Sequence, residues 1–288
     1  MTAIFRRELN TYFKGLWAYI FAAFMLLFTG IYTVVLNLGT GYPYFEYALD
    51  GSTFVFLIVI PMLTMRIISE ERRQKTDQLL YSLPLSMSQV VMGKYLALLV
   101  VMAVPFTVLS AYPLILAQFG RIPMISAYGA LLALFLLAAT LAAVGTFISS
   151  VTESQAAAAG LCFAAVLMLY FANTLASNIS STAFASLIGL FIIVVIIGVI
   201  VFFMTKSSVA ALGTAFAGEL VLLAIYRLKP SMLEGLFPTL IKKLSVFSRF
   251  YTFADGVFDI TALVYFITVA GVFLFLAVQS LEKRRWVG

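Results

Sequence analysis

The sequence predicts an all-α integral membrane protein, and three observations carry that reading. Hydrophobic residues fill 63% of the 288 positions, charged residues only 10%, and the mean hydropathy is +1.09. A soluble domain carries about 25% charged residues, so a soluble globular enzyme is excluded. Disorder is excluded too, because it needs low hydrophobicity and high charge. Apolar runs long enough to cross a hydrocarbon core of about 30 Å recur along the chain. The cations between them are unevenly shared between alternate connections.

Taken in order, residues 3–15 come first. Phe5, Leu9, Tyr12, Phe13 and Leu16 recur at helical spacing, while Arg6, Arg7, Asn10, Thr11 and Lys14 fill the other side. That pattern predicts an amphipathic helix lying in the membrane interface. Eight apolar stretches follow, at 17–37, 53–69, 90–118, 126–148, 155–176, 183–204, 208–226 and 260–280. The pair 183–226 is interrupted only at Lys206, Ser207 and Ser208, so it reads as a tight hairpin. Six spans are the alternative count. The whole of 1–288 reads as a single transmembrane domain, with turn-rich residues 38–52 and an amphipathic stretch 227–259 on one side. Pro61, Pro105 and Pro113 are expected to kink spans two and three.

Orientation follows from the Lys/Arg bias. With both termini cytoplasmic, that side holds Arg6, Arg7, Lys14, Arg66, Arg72, Arg73, Lys75, Lys94, Lys206, Lys283, Arg284 and Arg285, 12 of the 18 cations. A multi-pass protein of a bacterial plasma membrane is the expected setting. The net charge of +6 is then topological and does not point to nucleic acid.

There is no histidine and only one cysteine, Cys162. Histidine-based acid–base chemistry, intrachain disulfides and cysteine zinc sites are therefore excluded. No G-x-x-x-x-G-K-[ST] loop exists either, since the one Gly-Lys pair, Gly93-Lys94, has Ser88 five residues earlier. The sequence offers no catalytic residue, cofactor site or metal site.

The cytoplasmic loop 66–90 carries most of the information. Glu70, Glu71, Arg72, Arg73, Lys75 and Asp77 are expected to continue helically from span two. Leu79, Leu80, Leu83 and Leu85 follow, broken by Pro84. Charge followed by a small apolar patch suits a docking helix, in which leucines fill a groove and charges set the register.

The segment PMLTMRIISEERRQKTDQLLYSLPLS, residues 61–86, resembles the first cytoplasmic loop of type-2 ABC transporter permeases. SSVTESQAA, residues 149–157, resembles their second cytoplasmic turn. YFITVAGVFLFLAVQSLEKRRW, residues 265–286, resembles the gliding-motility GldF-like branch. The resemblance implies a membrane subunit that pairs with a second permease copy or a related permease, and with a dimer of cytoplasmic ABC ATPase subunits that bind the ATP. It places Glu70, Glu71, Arg72, Arg73, Thr76, Leu79, Leu80, Ser82 and Pro84 in a coupling helix. Thr152, Glu153, Ser154 and Gln155 would form a smaller second contact, and residues 3–15 the interfacial connecting helix.

Glu219 stands alone in an apolar run, where a charge costs roughly 2.5–3.5 kcal/mol on insertion scales. It is the candidate for a translocation-path carboxylate, and an ion-driven secondary transporter is the alternative it would serve. A membrane enzyme would need clustered carboxylates or metal ligands, and no such cluster has the spacing. A force-transducing or anchoring subunit without solute export is the other alternative. Small residues recur at four-residue intervals, Ala138, Ala142 and Thr146, then Ala156, Gly160 and Ala164, as close helix packing requires.

Overall fold

A computed structural model of the chain describes residues 1–75, 86–205 and 207–287. Every regular element among them is helical. Six helical stretches are long and apolar enough to cross a membrane: Trp17–Gly39, Glu46–Arg73, Met87–Leu116, Met124–Val151, Gln155–Asn178 and Ile260–Arg285. The chain is an all-α, multi-pass membrane protein. It divides into two compact units, Met1–Tyr170 with Arg249–Gly288, and Phe171–Ser248.

In the first unit, α1 (Thr2–Lys14) is the expected amphipathic helix. It ends at Gly15, whose backbone is extended. The stripe it turns inward is Ile4 and Tyr12, with Glu8 between them. Ile4 lies against Gly93, where an added Cβ would sit 3.4 Å from the isoleucine side chain. The Tyr12 hydroxyl donates to the Leu63 carbonyl at 3.1 Å. Burial, with the Glu8 charge nearby, pushes the Tyr12 phenol well above its ordinary range, so it stays a donor.

The first span is α2 (Trp17–Tyr32), continued by a π-helical stretch, Thr33–Gly39. Asn37 closes it by donating to the carbonyls of Tyr42 (2.8 Å) and Tyr44 (3.1 Å). Helix resumes earlier than the sequence suggested. Residues 46–52, read above as part of a loop, form α3 (Glu46–Ser52) and lead through one 3-10 turn into α4 (Phe56–Thr64). No proline follows Pro43 until Pro61, and Gly51 lets the Tyr32 ring come so close that any Cβ would collide with it.

Span two is not a continuous rod. Turn residues 65–68 separate α4 from α5 (Ser69–Arg73), so the expected unbroken helical continuation into the charged loop is corrected. The physical reason lies in Ser149. Its Oγ accepts from the backbone N–H groups of Ile68 (3.2 Å) and Ser69 (3.1 Å). It thereby satisfies donors that an interrupted helix would leave orphaned.

Then come α6 (Met87–Leu109), α7 (Tyr112–Leu116) and α8 (Met124–Val151). Ser86 caps α6 by accepting from Gln89 N–H. Pro105 lies inside α6, and Pro113 opens α7 after a turn. The central helix is α8, rich in Ala and Gly and buried along most of its length. Ala138, Ala142 and Thr146 are fully buried in it, so this small-residue stripe packs within the chain. At Gly145 it touches Thr64 of α4 so closely that a Cβ would overlap the threonine. The Tyr95 hydroxyl donates to the Ala139 carbonyl at 3.0 Å, and Thr140 Oγ1 to the Phe266 carbonyl at 3.1 Å.

Helix α9 (Gln155–Asn178) follows. Its second stripe, Ala156, Gly160 and Ala164, is exposed, and Gly160 has nothing within 4 Å of a virtual Cβ. Cys162 is buried with its thiol 3.5 Å from Thr64 Oγ1.

The second unit is built on a hairpin of α10 (Ala183–Thr205) and α11 (Ser208–Leu228). The expected pair 183–204 and 208–226 is thus present as two helices. They cross tightly at Gly218, where a Cβ would approach Val194 Cγ1 to 2.8 Å. A 3-10 turn and α12 (Leu236–Leu244) follow, then α13 (Val246–Ala254) leads back towards the last span, α14 (Ile260–Val287).

Candidate functional site

The chemistry of the first unit concentrates at the end of the spans beside α1. Lys94, in the second turn of α6, is 2% exposed. Its ammonium has three N–H donors, and three acceptors meet them: Glu8 Oε1 at 2.9 Å, Glu71 Oε1 at 3.0 Å and the Ile67 carbonyl at 2.8 Å. Arg7 completes a quartet by pairing with both Glu8 and Glu71. Two cations and two carboxylates balance, which is the condition for keeping such charge out of water. Burial alone would raise the Glu8 carboxyl. Lys94 and Arg7 outweigh it and hold the group below its ordinary value. Burial likewise opposes the Arg7 charge, and the two glutamates restore it and carry its value upward.

The quartet joins three segments far apart in sequence: α1, the base of α6, and α5. A second pair braces the same place. Arg66 grips Glu70 with two hydrogen bonds, at 2.8 and 2.7 Å, and its guanidinium lies over the Trp17 ring, 5.5 Å from the centroid.

The next link reaches the α8–α9 turn. Arg72, 8% exposed, donates through Nη1 to the Thr152 carbonyl at 3.1 Å. Arg284 of α14 donates to the Val151 carbonyl at 3.1 Å and to Glu153 Oε1 at 3.2 Å. Ser280 donates to the Ser150 carbonyl at 3.2 Å. The short break between α8 and α9 is therefore held from two sides, by α5 and by the last span.

The predicted site residues fall as follows. Glu70, Glu71, Arg72 and Arg73 all lie on α5, and the first three are engaged as described. Thr76, Leu79, Leu80, Ser82 and Pro84 lie outside the described residues. Thr152 and Glu153 meet Arg72 and Arg284, the Ser154 carbonyl accepts the Ala158 N–H at 2.9 Å, and Gln155 opens α9. Glu219 belongs to the second unit, half-buried on α11 beside the Gly218 crossing. Among the described residues no group of His, Cys, Asp or Glu could hold a metal ion.

Sequence reading missed Glu8, Lys94, Ser149 and Arg284 as members of this site. Lys94 carried a signal, as a lone charge within an apolar run. Ser149 and Arg284 stood inside the quoted motifs without a reason to single them out.

The arrangement is a polar linkage that ties together α1, α5, the base of α6, the α8–α9 turn and the foot of α14. No curated protein matches the chain. Residues 45–186 match the family model described as ABC-2 family transporter protein. That stretch runs from α3 into the start of α10 and contains the α5 charges, Lys94 and the α8–α9 turn. Over that stretch the chain is similar to ABC-2 type permeases, the membrane subunits of ABC transporters.

Proposed function

We propose that the chain couples ATP hydrolysis by a separate ATPase subunit to export across a bacterial plasma membrane, with both termini cytoplasmic. Residues 66–90 are the ATPase-docking loop, and residues 152–155 form the second contact. ATP is bound by the partner dimer, and two permease subunits, identical or related, form the membrane part. The C-terminal pattern 265–286 favours the GldF-like branch.

The observation that supports this reading is the polar linkage between the two cytoplasmic segments of the family-matched region. A pull on α5 reaches the α8–α9 turn through Arg72 and Thr152, and α1 and α6 through Glu71 and Lys94. Rearrangements of packed helices pass between discrete states through such contacts. Because turn residues 65–68 interrupt span two, α5 can tilt relative to α4 while Ser149 keeps its first amides bonded.

The test is a detergent pull-down of the tagged full chain from its native cell, with mass spectrometry of the eluate. A soluble protein bearing a phosphate-binding Walker loop is expected, and it is lost when Leu79 and Leu80 become Asp. Unchanged co-purification by that variant would sink the docking assignment.

A further inference from the structure

The second unit carries a feature that ATPase coupling does not use. Between residues 227 and 248 there are four cations, Arg227, Lys229, Lys242 and Lys243, against one carboxylate, Glu234. All four cations are exposed, and none is ion-paired with another described residue.

The fold gathers them at one end of the hairpin. Arg227 and Lys229 stand at the C-terminal end of α11, which in an antiparallel pair lies beside the start of α10. Helix α12 is fixed at that same end. Its Phe237 ring packs on Gly189 of α10 so closely that a Cβ there would overlap it. The Gly235 N–H donates to the Ser181 carbonyl at 2.9 Å, with Gly235 in the left-handed region at φ 67°.

Helix α12 has two distinct faces. Leu236, Phe237, Leu240, Ile241 and Leu244 fall on one arc at helical spacing, and Thr239, Lys242 and Lys243 on the other. Only part of the apolar arc is used against α10. Leu244 remains 63% exposed, as does Met232 just before the helix at 61%. On α10 and α11 below lies a groove of about 470 Å³ whose described lining, from Leu187, Ile188, Phe191, Ile192 and Ile196 to Leu223, is apolar.

We propose that this end of the second unit is a binding site for an anionic phospholipid. The lysines of α12 take the phosphate headgroup and the apolar groove takes an acyl chain. Charge complementarity selects the anionic head. The exposed leucines and the groove select a lipid over a soluble polyanion, which would gain nothing from either. In the proposed orientation this end is the outer one, where the topological bias disfavours cations. A function in binding phosphate accounts for their presence. The inference rests on the membrane setting of the chain and not on its ATPase partner.

The experiment is native mass spectrometry of the full chain in mild detergent. It is titrated with phosphatidylglycerol or phosphatidylcholine of identical acyl chains. Two lysines near an anionic surface correspond to roughly 30-fold tighter binding of the anionic lipid. Lys242→Ser/Lys243→Ser is expected to abolish that preference, and Ile192→Trp, which fills the groove, to weaken both lipids. Arg6→Ser/Lys14→Ser on α1 should leave the preference intact. Protection of Cys162 from maleimide reports that the first unit of each variant is folded, and retained binding of phosphatidylcholine by the double lysine variant reports that its second unit is. Retention of the preference by the double lysine variant overturns the proposal. So does unaltered lipid binding by Ile192→Trp, and so does equal competition by glycerol phosphate, which would make the site one for a free anion.

Discussion

The Lys94 ammonium lies 2.9 Å from Glu8 Oε1 although the two residues are 86 positions apart. This contact ties the interfacial helix to the foot of the third span. Because Glu71 and the Ile67 carbonyl take the other two Lys94 protons, the same ammonium also holds α5.

Removing the buried Lys94 charge leaves Glu8 and Glu71, both largely shielded, sharing only the exposed Arg7. Lys94→Met is expected to destabilise the first unit by about 3–5 kcal/mol. Adding Glu8→Gln should return part of that loss, since contacting residues couple by roughly 0.5–3 kcal/mol. The readout is already in the chain: Cys162 is the sole cysteine and is buried, so maleimide labelling on heating reports unfolding. Strict additivity of the two substitutions would show that the pair does not interact.

The same group sets a pH dependence. The folded Glu8 carboxyl titrates below its ordinary value of 4.5. A depressed carboxyl contributes stability that is fully present above the unfolded value and lost as pH falls through the folded one. The unfolding midpoint of the wild type should therefore hold above about pH 4.5 and drop below it. Glu8→Gln should start lower and show a shallower drop. Parallel curves for the two proteins would remove Glu8 from this role.

Much of this architecture was legible in the sequence, and the reason is local. Apolar length marks a span, and helical spacing marked α1. The Glu-Glu-Arg-Arg run of α5 stood out because charge is rare in so apolar a chain. The pairings were not legible. Lys94 could be seen as an isolated cation, but its partners come from 86 and 23 positions away, and long-range pairing leaves no period. The interruption at 65–68 escaped because it contains neither Gly nor Pro. It is stabilised from outside by Ser149, about 80 residues later. The loop expected at 38–52 was over-extended because its glycine serves Tyr32 packing and does not break the helix.

Ser149 gives a third prediction. Ser149→Ala leaves the N–H groups of Ile68 and Ser69 without their acceptor. An orphaned buried donor costs about 1–3 kcal/mol. Hydrogen exchange at those two amides should accelerate in the variant while exchange in α8 stays slow. Unaltered protection at Ile68 and Ser69 would mean that another group accepts them.

The Gly145–Thr64 crossing gives a fourth. Gly145→Val places a branched side chain where even one carbon overlaps the threonine. Overpacking costs typically 1–3 kcal/mol, and the same Thr64 of α4 meets the Cys162 thiol of α9. Maleimide should therefore reach Cys162 at a lower temperature in this variant. Thr64→Ala in the same chain should recover part of the shift, because it removes the atoms that collide. A recovery of nothing would place the strain elsewhere.

Arg72 separates docking from transmission. Its Nη1 holds the Thr152 carbonyl and so joins α5 to the α8–α9 turn, whereas Leu79 and Leu80 are proposed to face the ATPase. Arg72→Lys keeps the charge but loses the planar guanidinium that reaches the carbonyl. If Arg72 transmits, the ATPase should still co-purify with this variant, while its hydrolysis in the complex no longer responds to the permease. Leu79→Asp/Leu80→Asp should lose co-purification itself. Measuring both quantities on both variants gives a fourfold outcome. Loss of the ATPase from Arg72→Lys would make Arg72 part of the docking surface. Full, permease-responsive hydrolysis with Arg72→Lys would make the Thr152 contact dispensable, leaving the Lys94 quartet as the remaining route from α5 into the bundle.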